Sequence, residues 1–397
     1  MEENKKNKIP NVPNLRFSFI DEWKQFRLFE IADFLPGLTY SPADIRKDGR
    51  IVLRSSNIQN GLLDLNDLVF VDENIVKKNL SIKPFDVLMC IRNGSKKLVG
   101  KTAIIAVENP KLTWGAFMAI IRPTNKSTFV FHYLNSNSFY KQVFSDTNTA
   151  TVNQITAGVY NGCKVFIPSQ EEQQKISYFL DLINERIETQ NKIIEKLKSL
   201  KIGIKERIYL LGKTKEPLER ILYEVSEKST VQNQYPVLSS TVKGLFLQSE
   251  YFDRAIASEN NIGYKIVHKG QIIISPQNLW MGNLTFNDKY ESGIVSPSYK
   301  IYEIDSKYSK KYIHWLLTSK RSFFNYGLVS EQGASIVRRN LNIDAFMELC
   351  LPIIKDKDDE FKIEKLIDLI ENKLESEKKR GTLLNQQKQF LLSNLFI

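Results

Sequence analysis

The chain of 397 residues is too long for one ordinary hydrophobic core and suits two globular domains with connecting segments. Hydrophobic residues make up 42% of it and aromatic residues 11%, which excludes a generally disordered chain. The formal net charge of +11 at pH 7 favours a polyanionic partner. Nucleic acid is the common partner of this kind, although an acidic protein or a membrane surface would satisfy the same charge.

Cysteine usage and hydropathy predict the compartment. Cys90, Cys163 and Cys350 are scattered and lack CxxC spacing, so we interpret them as buried thiols rather than as disulfide or zinc ligands. The first residues carry acids and no apolar core, unlike a signal peptide. No apolar run approaches the roughly 20 residues that span a bilayer. We therefore expect a soluble cytoplasmic protein.

The first half of the chain predicts an arm, a globular domain and a long helix. Residues 1–22 are polar and contain two prolines, which predicts a flexible arm. Residues 23–168 predict a domain with strands at 51–53, 86–91, 103–107 and 117–121 and a helix over 129–143. Ser169 and Glu172 have the spacing of a capping box, and Gly212 is a typical stop signal. A helix of about 60 Å, at roughly 1.5 Å per residue, is predicted between them.

The second half repeats this plan. Residues 213–352 predict a second globular domain, and residues 353–397 predict a second long helix. Residues 222–225 resemble 28–31, and residues 237–241 resemble 52–56. Between such anchors the two globular regions diverge strongly. The chain is thus interpreted as a tandem duplication whose domains perform different versions of one task.

The two helices share one apolar pattern at an offset of 187 residues, and even a polar position such as Lys201 recurs, at Lys388. Steps of three and four residues are typical of a helix–helix seam. We therefore predict an α+β fold with two tandem domains, each followed by a long helix. The helices should pair as an antiparallel coiled coil with pseudo-two-fold symmetry. The predicted seam residues are Ile176, Leu180, Ile183, Ile187, Ile194, Leu197, Ile204, Ile208, Ile363, Ile367, Ile370, Leu374, Leu384, Leu391 and Leu395.

No catalytic constellation is found in the sequence. Residues 94–102 resemble a phosphate-binding loop but have one residue too many between the glycines, and a strand-like segment follows where a helix is needed. His132, His268 and His314 lie apart from other ligand types, which favours core or surface roles over metal binding. Glu371 and Lys373 have nuclease-like spacing, but a solvated helix face explains them. We expect no cofactor and no metal in this chain.

Polar loop clusters are the candidate DNA contacts. Arg and Lys suit phosphates, whereas Ser, Asn and Gln suit base edges. Any one cluster could equally be a surface turn, and Trp280 could belong to the core instead of stacking on a base. Arg92 and the pair Arg338 and Arg339 stand out. The candidates are Arg54, Ser55, Asn57, Arg92, Asn93, Lys96, Lys97, Thr151, Asn153, Gln154, Ser240, Thr241, Gln277, Asn278, Trp280, Ser335, Arg338, Arg339 and Asn340.

The duplicated layout resembles the specificity subunits of Type I restriction–modification enzymes. The resemblance rests on the junction at residues 166–176, which reads Phe-Ile-Pro-Ser-Gln-Glu-Glu-Gln-Gln-Lys-Ile, and on the opening segments at 12–17 and 21–23. It covers essentially the whole chain. The second junction, at residues 352–356, lacks the Glu-Gln pair and carries three extra residues, so the start of the second helix is less defined.

The resemblance implies a non-catalytic reader of double-stranded DNA in the bacterial cytoplasm, associated with the nucleoid. Its domains would be target recognition domains for the two halves of a split, asymmetric site. Two methyltransferase subunits, which use S-adenosylmethionine, and restriction subunits, which use ATP and Mg²⁺, would be its partners. Two alternatives stay open. One is the specificity part of a related two-component restriction enzyme, and the other is a coiled-coil scaffold for acidic partners.

Overall fold

The computed structural model describes residues 11–77, 80–144, 154–251, 260–332 and 339–397. The chain divides into two compact units: unit 1 combines Met1–Asn191 with Lys379–Ile397, and unit 2 is Lys192–Lys378. Each unit therefore holds one globular part and a portion of both long helices. We call the globular parts head 1 (residues 23–168) and head 2 (residues 213–352).

Helices of very different length occur in the described part of the chain. The two long ones are continuous over 42 and 38 residues. Gly203 lies inside the first of them without breaking it. The helices are α1 (Leu28–Ile31), α2 (Phe129–Leu134), α3 (Asn137–Phe144), α4 (Ala157–Gly162), α5 (Gln170–Leu211), α6 (Gln248–Tyr251), α7 (Lys310–Leu317), α8 (Lys320–Leu328), α9 (Ile343–Glu348) and α10 (Lys357–Asn394).

The strands are short and belong to the heads. In head 1 they are β1 (Lys24–Arg27), β2 (Ala32–Pro36), β3 (Ile45–Arg46), β4 (Arg50–Leu53), β5 (Ile58–Gln59), β6 (Leu62–Leu63), β7 (Val69–Val71), β8 (Val87–Cys90), β9 (Thr102–Ile104), β10 (Leu112–Trp114), β11 (Met118–Pro123) and β12 (Lys164–Ile167). In head 2 they are β13 (Thr214–Pro217), β14 (Leu222–Val225), β15 (Leu238–Thr241), β16 (Gly244–Leu247), β17 (Lys265–His268), β18 (Ile272–Ile274), β19 (Leu284–Phe286), β20 (Ser292–Val295), β21 (Lys300–Ile304), β22 (Ser330–Gln332), β23 (Arg339–Leu341) and β24 (Cys350–Ile353).

Both heads contain the same antiparallel sheet. Its strand order is β2-β11-β8-β9 in head 1 and β14-β21-β18-β19 in head 2. In each head the first and last strands also pair with one another, as β1 with β12 and β13 with β24. The duplication predicted from the helices therefore extends to the topology of the heads. The heads differ in their second layer, which is a four-stranded sheet (β10-β4-β7-β3) in head 1 and two strand pairs (β15-β16 and β17-β20) in head 2.

The shared sheet is buried on both faces. Successive side chains on a strand point to opposite faces, and β8 sends Val87 and Met89 to the core that contains the helices. Leu88 and Cys90 point to the core beneath the second layer. In head 2, β18 divides Ile272 and Ile273 between two cores in the same way. Such double burial explains why both strands read as continuous apolar runs.

Both long helices contribute to the core of each unit. In each unit, one helix contributes residues near its start and the other contributes residues near its end. In unit 1, Ile176 and Leu180 of α5 share a core with Leu391 and Leu395 of α10. In unit 2, Ile208 near the end of α5 shares a core with residues near the start of α10. The helices are therefore antiparallel, as predicted. Most seam side chains are buried, while four are half-buried: Ile194, Leu197, Ile204 and Leu384.

Residues 11–22 are not the loose arm that their composition predicted. The Arg16 guanidinium donates to the buried Glu172 carboxylate at 2.7 and 2.8 Å. The Leu15 N–H donates to the carbonyl of Asn394 at 2.9 Å, and the Phe17 ring packs edge-on against Phe179. Polar composition alone misses these contacts, because they are made to helices far away in the sequence. Residues 1–10 lie outside the described residues.

Two further details differ from prediction. The helix expected over residues 129–143 is broken into α2 and α3, because Asn135 ends the first helix and bonds the Thr102 hydroxyl. The Ser169 hydroxyl does accept from the Glu172 N–H at 3.3 Å, but the Glu172 carboxylate binds Arg16 and Trp23 instead of closing a capping box. In the described ranges, every helix is too short or too polar to cross a bilayer.

Candidate nucleic-acid interface

Three segments of head 1 that lie far apart in the sequence meet at one surface. Arg54 and Ser55 follow β4, and Arg92 and Asn93 follow β8. The Asn93 side-chain amide donates to the Ser55 hydroxyl at 3.1 Å. Gln154, which precedes α4, forms an isolated β-bridge with Arg92. Five of the predicted contact residues are thus brought together by tertiary structure.

The cations of this surface have different environments. Arg54 donates to Asp67 at 2.8 Å, and its buried Nε has no hydrogen-bond partner. The exposed Arg92 guanidinium instead lies over the Phe117 ring, 5.4 Å from the centroid. Lys96 and Lys97 are exposed on a 3-10 turn beyond it. The surface therefore offers one paired arginine, one arginine on an aromatic ring and two solvated lysines.

A cavity of about 760 Å³ opens beside these residues. Its walls include Tyr40, Arg54, Ser55, Phe117 and the carboxylate-bearing Asp67. Neither Tyr40 nor Phe117 was predicted as a contact. Phe117 was interpreted as the first residue of a strand. The Phe117 side chain is 58% exposed, and β11 begins one residue later. In the sequence, the only sign of this contact was an aromatic residue at the start of an apolar run.

Head 2 gathers its candidates at the corresponding place. Gln277 and Trp280 follow β18, which corresponds to β8 of head 1. The Arg339 backbone N–H on β23 donates to the Gln277 carbonyl at 3.2 Å. The Arg339 guanidinium lies over the Trp280 ring, 4.3 Å from the centroid. Trp280 is half-buried, and its buried indole N–H has no partner.

Two predicted contacts are structural instead. Asn57 is fully buried, since its side chain accepts from the Arg54 N–H and donates to two carbonyls of the same loop. Ser240 is 3% exposed and its hydroxyl bonds Asn283 and Thr285. Both side chains hold loops in place and are out of reach of a groove, so we correct the prediction for them.

The other candidates are exposed or half-buried, or lie outside the residues that the structure describes. Asn340 is exposed and Asn278 is half-buried, while Thr241 is half-buried with its hydroxyl bonded to the Gly244 carbonyl. Four predicted contacts lie outside the described residues: Thr151, Asn153, Ser335 and Arg338.

The three histidines are buried or half-buried, and His132 and His268 bond nearby protein side chains. His132 is buried, with Nε2 2.8 Å from Asp181, and burial lowers its pKa despite that carboxylate. Burial, with the nearby Lys205, lowers the pKa of His314 to about 3. His268 bonds Ser292 and Glu227 at the surface. No group of potential metal ligands occurs in the part of the chain that the structure describes.

Glu371 is more constrained than a solvated helix face would suggest. Its carboxylate accepts from Lys201 at 2.8 Å and from the Trp315 indole N–H at 2.9 Å. Burial raises the pKa of this carboxyl group, but the hydrogen bond and charge of Lys201 outweigh burial and lower it overall. The carboxylate joins α5, α7 and α10 within unit 2, whereas a nuclease carboxylate would be open to a metal ion.

Comparison with known proteins identifies the first half of the chain. Residues 20–199 match the family profile described as the Type I restriction modification DNA specificity domain. This part of the chain is similar to Type I specificity domains. The StySPI specificity subunit of Salmonella potsdam is 28% identical over 181 residues, which are 44% of this chain and 39% of that protein. The EcoKI specificity subunit of Escherichia coli K12 is 30% identical over 165 residues, which are 40% of this chain and 35% of that protein. The aligned part thus spans under half of either relative.

Solved structures extend the likeness from the specificity domain to the whole fold. The Type I restriction–modification S subunit of M. genitalium superposes with a TM-score of 0.55 at 14% identity, covering 97% of this chain and 99% of that one. A chain from a structure concerning complex assembly and conformational transition of the type I R-M system gives a TM-score of 0.55 at 14% identity, covering 95% and 98%. The predicted relation to Type I specificity subunits and the predicted fold are confirmed.

Proposed function

We propose that this chain is the DNA sequence-recognition subunit of a Type I restriction–modification enzyme. Head 1 and head 2 are target recognition domains, and each reads one half of a bipartite, asymmetric site. The long helices α5 and α10 fix the gap between the two half-sites. The chain performs no chemistry itself.

One observation carries the proposal beyond the specificity domain at residues 20–199. The same four-stranded sheet occurs in both heads, and the loops that follow its central strands β8 and β18 differ in length and in most side chains. A shared frame with divergent loops suits two half-sites of different sequence, because loops on a rigid scaffold carry specificity.

Electrostatics supports a DNA partner. The net charge of +11 attracts a polyanion, and the exposed Lys96 and Lys97 lie next to the convergent loops of head 1. Lysines in such a place contact phosphates, which position a protein on the duplex without reading its sequence. Arg92, Gln154 and Gln277 have side chains that can bond base edges.

The partners are two methyltransferase subunits and the restriction subunits. Support comes from apolar side chains that the described residues of unit 1 leave uncovered on the long helices. Tyr178 is 67% exposed and Phe390 61% exposed. A groove of about 680 Å³ on the same helices is lined by Phe179, Leu182 and Leu384. Exposed apolar surface of this kind marks protein contacts. S-adenosylmethionine, ATP and Mg²⁺ would be bound by the partners.

The test is a methylation experiment in living cells. The chain is co-expressed with its neighbouring methyltransferase subunit in a host that lacks DNA methylation, and N6-methyladenine is then mapped across the genome. We expect a two-part motif with a fixed gap that disappears when this chain is omitted. A soluble complex that leaves the genome unmethylated would contradict the proposal and favour the scaffold alternative.

A further inference from the structure

We infer that Arg92 and Arg339 each read a guanine, one in each half of the target site. This inference rests on the proposed function and adds the residues and the base. Each arginine has its guanidinium over an aromatic ring, beside a glutamine, at the same place in its head.

The place is defined by topology. In head 1 the segment after β8 meets the segment before α4, where Arg92 is bridged to Gln154. In head 2 the segment after β18 meets the segment before α9, where Gln277 is bonded to Arg339. Each meeting point thus presents one arginine and one glutamine. The arginine is on the first segment in head 1 and on the second segment in head 2.

The aromatic rings come from unrelated parts of the two heads. Phe117 precedes β11 in head 1, whereas Trp280 belongs to a 3-10 turn after β18 in head 2. Inheritance from the duplication would have kept the ring at one position. The two heads therefore reach the same arginine-on-ring arrangement by different routes, which points to a shared task at this place.

A guanidinium that lies over an aromatic ring is partly ordered before it binds a base. A guanidinium lying on a ring loses rotational freedom before binding, so less entropy is lost when its two N–H groups bond guanine O6 and N7. Among the described residues, no carboxylate pairs with Arg92 or Arg339. Arg54, in contrast, is bonded to Asp67. The Arg339 guanidinium also donates to the Gly327 carbonyl, at 3.4 Å. The charge of both arginines and their remaining N–H donors are therefore available to a ligand.

Lys96 and Lys97 provide the contrast within the same loop of head 1. Both are exposed and neither lies over an aromatic ring in the described structure. Flexible ammonium groups in this position suit phosphates, which carry no sequence information. Arg92 should therefore alter specificity, whereas Lys96 should alter affinity for every DNA sequence.

The first experiment changes the protein and repeats the methylation map with the methyltransferase subunit. We expect wild-type chain to give a guanine–cytosine pair in each half of the motif. Arg92→Ala should relax that pair in one half only, and Arg339→Ala should relax it in the other. Lys96→Ala is the matched control and should leave the motif unchanged. An unchanged motif in both arginine variants would overturn the inference while leaving the proposed function intact.

The second experiment changes the DNA, and its main comparison uses only the wild-type protein. Binding of the wild-type complex is measured on its mapped site with 7-deazaguanine at the assigned positions, which removes the N7 acceptor. We expect specific affinity to fall about tenfold at each position, within the range of a lost bidentate contact. Arg92→Ala should show no further loss at its own position. Equal loss on unrelated DNA for Arg92→Ala, with a shallower salt dependence, would make Arg92 a phosphate contact and overturn the inference. A wild-type complex with no sequence preference would overturn both the inference and the proposed function.

Discussion

At the scale of single residues, the ion pair between Asp86 and Arg122 anchors the shared sheet of head 1. Asp86 precedes β8 and its side chain is 1% exposed, while Arg122 lies on β11. Two parallel hydrogen bonds of 2.8 Å join them, and the Asp86 carboxylate also accepts from the Lys83 N–H. Burial of a charge is tolerated only with such pairing.

Replacing Arg122 should therefore destabilise unit 1 strongly. Arg122→Met leaves the Asp86 carboxylate buried without its cation, and we expect the free energy of unfolding to fall by about 3 kcal/mol. Urea denaturation measures the change. The double variant Asp86→Leu with Arg122→Met is the control, and it should recover most of the loss. A double variant as unstable as the single one would show that packing, rather than the unpaired charge, is responsible.

The lowered pKa of His314 determines how the stability of unit 2 should change at acidic pH. Its pKa is lowered from 6.5 to about 3, first by burial and then by Lys205, while Glu371 opposes the shift. Between these two values the unfolded chain binds a proton that the folded chain does not bind. Stability is therefore complete above about pH 6.5 and falls as the pH is lowered through this window.

His314→Phe should remove this part of the acid sensitivity. The imidazole stacks on Phe286, with the centroids 5.3 Å apart, so a phenyl ring preserves the contact. From about pH 7.5 to about pH 5 the wild type should lose about 2 kcal/mol more than the variant, at 1.36 kcal/mol per pKa unit. Urea unfolding at several pH values measures the loss. Parallel curves for the two proteins would contradict the assigned pKa.

At the scale of elements, the buried strands were predictable and their assembly was not. The runs at 51–53 and 86–91 became β4 and β8 within a residue, because short runs of consecutive apolar residues are typical of buried strands. The predicted helix over 129–143 failed at Asn135, which bonds Thr102 from another part of the chain. Local pattern contains no information about such a partner.

The candidate interface shows the same limit. Sequence composition predicted Arg54, Arg92 and Gln277 in polar loops, because Gly, Asn, Ser and Pro around them are typical of turns, and the structure has all three in loops. It also selected Asn57 and Ser240, which the fold buries. The pairing of Asn93 with Ser55 and the stacking of Arg339 on Trp280 are tertiary contacts, and only coordinates reveal them.

At the scale of the whole molecule, the proposed function makes the long helices a ruler. Removing one heptad, residues 194–200, from α5 together with the equivalent residues 381–387 from α10 preserves the seam pattern. Seven residues are about 10.5 Å of helix, so the gap in the methylated motif should shorten by about three base pairs. Both half-sites should be retained.

The genome-wide methylation map gives the result directly. A control replaces residues 194–200 with an unrelated heptad of the same length and apolar pattern, and its gap should equal that of the wild type. A deletion variant that methylates with the original gap would show that the helices do not set the spacing.

The way α10 completes unit 1 has a consequence for biosynthesis. Asn137 of head 1 bonds Ser393 of α10, 256 positions further along the chain, and Leu391, Leu395 and Phe396 belong to the core of unit 1. During synthesis, α10 is made only after all of head 2 has been translated. Until then, the apolar surface of head 1 that contacts these side chains remains exposed. Contacts of such long range slow folding and expose apolar surface to aggregation. Newly made chains should accordingly depend on chaperones until synthesis passes α10.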